Sequence, residues 1–203
     1  MEKKKIFMII LIMILAVLFV FAMHFIRNLL IIEEISRKEE ELSKINNFSF
    51  SISSEGTREF YYKEGISKEI IKDEDKHMIT WFDENSKEQI RYYPEIKKAE
   101  ISSINTPRVV LPTLGLTKEN KMIYALFANI SVEEVNEEKC YTVKLGEETE
   151  YISKETGIML KNKNGKILKD GVEKENIVEY KDIKLNEVKS EEMRKTRFNT
   201  DMK

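Results

Sequence analysis

Hydrophobic and polar positions change their period twice along this chain. From Ile6 to Met23 there is no period: IFMIILIMILAVLFVFAM carries no charged residue. Eighteen helical residues rise about 27 Å, close to the ~30 Å hydrocarbon core of a bilayer. Thirteen are Ile, Leu, Val or Phe, which favours insertion by about 4 to 8 kcal/mol. Leu29, Ile32, Ile35, Leu42 and Ile45 then recur at spacings of three or seven around SRKEEELSK. That pattern predicts a helix leaving the membrane and running to about Ile45. Its narrow stripe either packs on a sheet or pairs with another chain. Fewer than three clean heptads favour the sheet.

From Asn47 the period becomes two. Phe48, Phe50 and Ile52 alternate with Ser49, Ser51 and Ser53. Strands are predicted at Phe60–Tyr62, Ile66–Ile71, His77–Phe82 and Glu88–Tyr93. Turn signals fall at Ser54–Gly56, Lys63–Gly65, Asp73–Asp75 and Asp83–Ser86. Short strands 8 to 12 residues apart predict antiparallel sheet whose neighbours in sequence pair. Ile96–Ile104 reads as one more strand. Thr106–Gly115, with Pro107 and Pro112 around Val109-Val110-Leu111, reads as an apolar crossing segment. Thr117 then suits an N-cap, and Met122, Ile123, Leu126, Phe127 and Ile130 share one face of a helix predicted over Lys118–Asn129, covering the sheet. Alternation resumes at Lys139, with Tyr141, Val143 and Leu145, and continues through Tyr151, Ile158 and Leu160. Asn164-Gly165 reads as a plain hairpin turn, Lys166–Leu168 as a strand, Lys169–Gly171 as a turn, and Asn176–Val188 as the last strand. The tail after Ser190 is charged and reads as frayed. The fold class predicted is α+β: an N-terminal transmembrane helix, then a curved antiparallel sheet packed over one or two helices.

The flanks orient the span. Lys3, Lys4 and Lys5 precede it; Glu33 and Glu34 follow. The positive-inside rule puts the N-terminus in the cytoplasm and the remainder outside. The rival is a cleaved signal peptide cut after Ala22; the length of the apolar run favours the anchor. The divisions are therefore a basic tip and anchor over 1–32, an extracytoplasmic domain over 33–188, and a charged tail over 189–203. Setting aside Lys3, Lys4, Lys5, Arg27 and Glu2 leaves 30 basic and 35 acidic residues, net −5. Nucleic acid is a poor partner for that surface. Cys140 is the only cysteine, so neither an internal disulfide nor an N-terminal lipoprotein anchor is available.

Catalytic chemistry finds little footing. The exported part has one histidine, His77, inside a strand, where a half-exposed strand residue is the ordinary reading. One histidine and one distant cysteine make no zinc site. Asp73-Glu74-Asp75 and Asp83-Glu84-Asn85 lack the spacing of a calcium loop. Gly165-Lys166 is no phosphate loop, because Leu160 and Ile167 stand where glycine and Ser or Thr are needed. Cys140 has nothing near it in sequence to activate the thiol. Asn129-Ile130-Ser131 fits a glycosylation sequon, relevant only in a eukaryotic host. No enzyme activity, cofactor or metal is expected.

Strand aromatics stand out instead, and a long sheet with little helix over it can leave an apolar concavity. Tyr92-Tyr93-Pro94-Glu95-Ile96-Lys97-Lys98-Ala99 and Tyr151-Ile152-Ser153-Lys154-Glu155-Thr156-Gly157-Ile158-Met159-Leu160-Lys161, in this order of elements, resemble the LolA/LolB/RseB-like (outer-membrane lipoprotein-sorting-like) superfamily, in its membrane-anchored Gram-positive form. The second stretch resembles that group's strand–turn–strand with a K-x-T-G turn. The resemblance covers about 33–188 and rests on turn chemistry. It implies a half-barrel over helices with a hydrophobic groove that takes lipid, acylated protein or a regulatory partner; fold alone does not fix which. An anchor departs from a soluble carrier of that family and speaks against shuttling between membranes. The expected function is non-catalytic binding of a membrane lipid, acyl group or lipidated envelope partner. Phe48, Phe50, Trp81, Tyr92, Tyr141 and Val143 are the expected groove residues, chosen by strand parity. The alternative is a protein-binding scaffold or sensor acting through its sheet edge or the Ile35–Ile45 helix. An open or a filled concave face discriminates the two.

Overall fold

The computed structural model describes residues 2–53, 56–73, 76–103, 109–169 and 172–194. One helix, α1 (Glu2–Leu42), runs unbroken for 41 residues, about 60 Å. Its first half is long and apolar enough to cross a membrane. Its second half belongs to the domain core. No break separates the two at residue 32: Asn28 and Ile32 are both fully buried among domain residues.

Six strands follow α1: β1 (Asn47–Ser53), β2 (Thr57–Lys63), β3 (Ile66–Asp73), β4 (Lys76–Asp83), β5 (Glu88–Tyr93) and β6 (Lys98–Ser103). After the crossing segment come α2 (Lys118–Phe127) and β7 (Asn129–Val135), β8 (Glu138–Leu145), β9 (Glu148–Ser153), β10 (Met159–Lys169) and β11 (Val172–Leu185). All eleven form one open antiparallel sheet, ordered β6-β5-β4-β3-β2-β1-β11-β10-β9-β8-β7. The topology is two meanders sewn together where the first strand pairs with the last. Every other pairing joins neighbours in sequence, as tight turns dictate. The chain is thus α+β with an N-terminal apolar helix.

Three local outcomes differ from the sequence reading. Helix α2 ends at Phe127, short of the expected Asn129, and Ile130, expected on its apolar face, belongs to an unpredicted strand, β7. Ala128 is already extended, and Ile130 and Val132 then alternate as a strand requires. Asn164-Gly165 is not a hairpin turn. It lies inside β10 as a bulge, where the register to β11 shifts between Lys163 and Lys166. Gly165 at φ +59 supplies the left-handed residue such a bulge uses. The segment after Leu185 is packed as far as residue 194: Val188 is buried, Lys63 Nζ donates to Val188 O at 3.1 Å, and Lys68 Nζ to Glu192 O at 2.6 Å. The turns expected at Ser54–Gly56, Asp73–Asp75 and Lys169–Gly171, the crossing segment's first residues and the end of the tail fall wholly or partly outside the described residues.

Two of the three core clusters lie between α1 and one face of the sheet; the third, of Cys140, Tyr151 and Leu160, has no α1 residue. Ile32 and Ile35 pack with Leu114, Ala128, Ile130, Tyr141, Val143, Ile152 and Met159. Leu42 packs with Phe48, Phe50, Tyr62, Leu111 and Ile158. The α1 stripe is therefore spent within this chain, on the sheet. The K-x-T-G turn is its docking point. Lys38 Nζ donates to Lys154 O, and Gly157, at φ +79, lies so close that an added Cβ meets Lys38 Cβ at 2.6 Å. Gly157→Ala is therefore expected to destabilise the full chain by about 2 kcal/mol or more. Gly146→Ala, at φ +64 with nothing within 4 Å of an added Cβ, is expected to cost roughly 1 kcal/mol of backbone strain. Unfolding of both variants in detergent micelles checks this; equal losses refute a close α1 contact at Gly157.

Candidate functional site

Directly paired residues of an antiparallel sheet share a face, so the register sorts the six aromatic and aliphatic candidates. Phe48 pairs with Tyr62, Tyr62 with Ser67, Ser67 with Phe82 and Phe82 with Gln89. Phe48 and Phe50 thus lie on the face of Phe82. On the other side of the seam, Ile52 pairs with Tyr180, Val178 with Asn162, Asn162 with Glu150 and Glu150 with Val143. Val143 and Tyr141 therefore share the face of Phe48 and Phe50. Trp81 does not: it pairs with Lys68 and Ile90, on the opposite face. Tyr92, paired with Ile79, joins it there. The six do not converge. The reason is physical: β4 and β5 carry bulky apolar residues on both faces, so parity within one strand does not say which face meets the helix.

Trp81 is buried, with Lys68 Nζ 5.8 Å from its ring centre. The same ammonium reaches Glu192 O, which ties the returning C-terminal segment to that face.

The four that do share a face lie under α1. Phe48 stacks on Tyr62 at 5.1 Å between ring centres, and Phe50 on Phe60 at 5.0 Å. Leu42 and Leu111 close over them. Val143 is fully buried beneath Ile32 and Ile35. Tyr141 OH donates to Glu34 Oε2 at 2.8 Å, while Lys154 Nζ sits 4.8 Å from its ring centre. Burial and that carboxylate push the phenol up to about 12. Lys38, 3.0 Å from Glu34 Oε1, holds Glu34 below its ordinary value despite desolvation. The crossing segment is fastened to the helix as well: Gly115 N and Leu116 N donate to the two oxygens of Glu39 at 2.9 and 3.0 Å. This face carries a cleft of about 290 Å³ lined by Glu39, Leu42, Ile45, Phe48, Val110 and Leu111 among others.

Sequence reasoning missed a buried acid. Glu150, paired with Val143 and Asn162, points to the covered face and is 8% exposed. Asn162 Oδ1 beside it is buried without a hydrogen-bond partner among the described residues. Burial pushes Glu150 up to about 7, and the carboxylates of Glu148 and Glu39 add to the shift. The signal was present in Glu148-Thr149-Glu150-Tyr151-Ile152: Glu150 has the parity of Ile152, which the core claims. Among the described residues no three His, Cys, Asp or Glu side chains converge as a metal site. Cys140 is buried and its thiol is raised by desolvation and Glu138. A raised thiol is the reverse of nucleophile activation.

The chain matches no family model and no curated protein.

Glu150 makes stability depend on pH. The folded state keeps its proton to about 7, whereas the unfolded chain loses it near 4.5. Between those values the fold binds more protons, so stability falls as pH rises and the loss is complete above 7. Allowing for water reaching the carboxyl, the loss is about 2 kcal/mol. Glu150→Gln is expected to remove this slope and to raise the unfolding midpoint at pH 8 by about 5 °C, with little change at pH 4. Thermal unfolding across that range checks it, and an unchanged slope refutes the assignment.

Proposed function

We propose that this chain is a non-catalytic, single-pass membrane protein whose extracytoplasmic domain is a fixed platform for an envelope protein partner. The observation that carries the reading is the filled face. The surface that the LolA-like resemblance would make a groove is occupied by α1 and the crossing segment, with Phe48 at 2% exposure and Val143 at 0%. The Ile35–Ile45 helix is equally committed. An exposed sheet edge stays available. In β6 five of six residues are exposed, and Ile101 is 64% exposed with Ile96 nearby at 67%. An edge strand with unpaired backbone groups is a template for strand addition. Five strand spacings separate β6 from β1, about 24 Å along the sheet, and Leu42, which packs on β1, stands about 28 Å beyond Met23. The half-barrel, the retained span and an outward-facing domain are parts of this proposal.

A lipid or acyl ligand is the second reading, favoured by the cleft of about 290 Å³ beneath the exposed Val110. That volume lies near the lower limit of small-molecule sites, about 300 Å³.

A photo-crosslinking side chain at Ile101, in the full chain within its native membranes, is expected to give a discrete protein adduct. A co-purifying lipid in native mass spectra, with no adduct at Ile101, would reverse the order of the two readings. The intact mass from the same membranes reads the anchor directly: a chain starting at Met1 retains it, and one starting at Met23 refutes the span.

A further inference from the structure

Helix α2 leaves an apolar surface uncovered in a particular place. Phe127 is 70% exposed, Ile123 49% and Met122 48%, although the sequence pattern pointed all three at the sheet. Only Ala125 of this helix is buried. Tyr124 and Ala125 face inward; Met122, Ile123 and Phe127 fall within one arc of about 140° on the opposite side.

The contacts to α1 set the height of that arc. Leu116 N meets Glu39 Oε2 at 3.0 Å, Lys121 Nζ meets Glu33 Oε2 at 3.6 Å, and Asn28 Nδ2 donates to Ala125 O and Ala128 O at 3.3 and 2.8 Å. Helix α2 therefore descends alongside α1 toward the apolar run and ends level with Asn28. Five residues separate Asn28 from Met23, about 7 Å of rise, and the headgroup layer is about 5 to 7 Å thick.

The polar residues at this level do not mark a water boundary. Arg27 donates to Ile130 O and Asn28 to the end of α2, so both are spent on the domain. The outward side of α1 continues apolar through Ile26 and Leu30, 50% and 67% exposed, until Glu33. From Ile6 to Leu30 that is about 37 Å of helix, longer than the ~30 Å hydrocarbon core.

We propose that α2 is an interfacial helix: Met122, Ile123 and Phe127 lie in the headgroup and acyl boundary of the leaflet from which α1 emerges, and Ile26 and Leu30 lie in it with them. The occupant is the lipid surface, because the uninterrupted α1 holds this patch at bilayer height. This rests on the reading that α1 spans a membrane. The domain then sits on the membrane with its β7 end and holds the β6 edge away from it.

Fluorescence quenching in vesicles of phosphatidylcholine with phosphatidylglycerol tests this on the full chain. Phe127→Trp places a reporter on the patch, and Leu15→Trp places one in mid-span. Trp81, 1% exposed on the far face, supplies a constant background. Bromine near the headgroup end of the acyl chain is expected to quench the Phe127→Trp emission strongly. Bromine near the chain terminus is expected to quench Leu15→Trp. Quenching of Leu15→Trp with undiminished Phe127→Trp emission overturns the interfacial helix and leaves the span standing. No quenching of either overturns both.

Discussion

Everything in this molecule hangs on one helix with two characters. The first half of α1 is apolar on all sides, and the second half is apolar along a stripe. The stripe lands on the sheet at Ile32, Ile35 and Leu42, whose burial stabilises the fold by about 5 to 9 kcal/mol before entropy is counted. An open eleven-stranded sheet has two faces and two edges to protect. Without α1, the Phe48–Phe50 and Val143–Ile152 surfaces would stand in water. Because the helix is unbroken, the covering element and the apolar segment are also one continuous helix. If that segment spans a membrane, as proposed, the domain's orientation to the bilayer follows from the same contacts that hold its core.

That helix is held by polar as well as apolar contacts, and the polar ones serve backbone that has no sheet or helix partner. Asn28 accommodates the end of α2, Glu39 takes two amides of the crossing segment, and Lys38 takes the carbonyl of the turn at Lys154. Buried backbone groups must find partners, and long polar side chains on α1 reach segments too irregular to pair among themselves. The stripe is narrow for this reason: positions flanking it anchor loops. Glu150 is the counterexample, a buried acid whose environment favours its neutral form. It lowers stability above neutral pH rather than adding to it.

The strands, the Thr117 cap and the long first helix were legible because each rests on local chemistry. Period-two alternation marks a strand wherever one face is buried, and the Thr117–Asn120 capping box is written in adjacent residues. The misreadings arose where local chemistry is degenerate. Asn-Gly suits a hairpin and a bulge alike; β10 outgrows β9 there and continues paired to β11. Ile130 fits the helical face of α2 and the first inward position of β7, and the extended Ala128 decides between them. For the site, Phe48, Phe50, Tyr141 and Val143 were legible as one face, but Trp81 and Tyr92 were not separable from them. Which face of β4 meets the helix depends on register carried through three turns, and no single strand records it. Asn28 and Glu39 were invisible, since their partners lie 100 and 76 residues away in sequence, respectively.

A covered face also shapes what the domain can do. In a sheet whose concavity held a ligand, the apolar residues beneath it would have to tolerate exposure in the empty state. Phe48, Ile152 and Val143 are instead covered by residues of this same chain, α1 among them. Opening this face would require moving α1, and with it the Glu39 and Lys38 tethers and the Leu42 packing, which is a large fraction of a domain's net stability. An edge carries no such cost. Among the described residues no strand pairs with the outer side of β6, and adding a partner strand there leaves the core untouched. The sheet order reinforces the choice, since α2 and β7 lie beside the Arg27–Asn28 level of α1 whereas β6 lies ten strand spacings away at the other end of the sheet. On the proposed reading, an anchor near β7 and an exposed strand at β6 would suit the molecule to hold a partner at a set distance from the membrane.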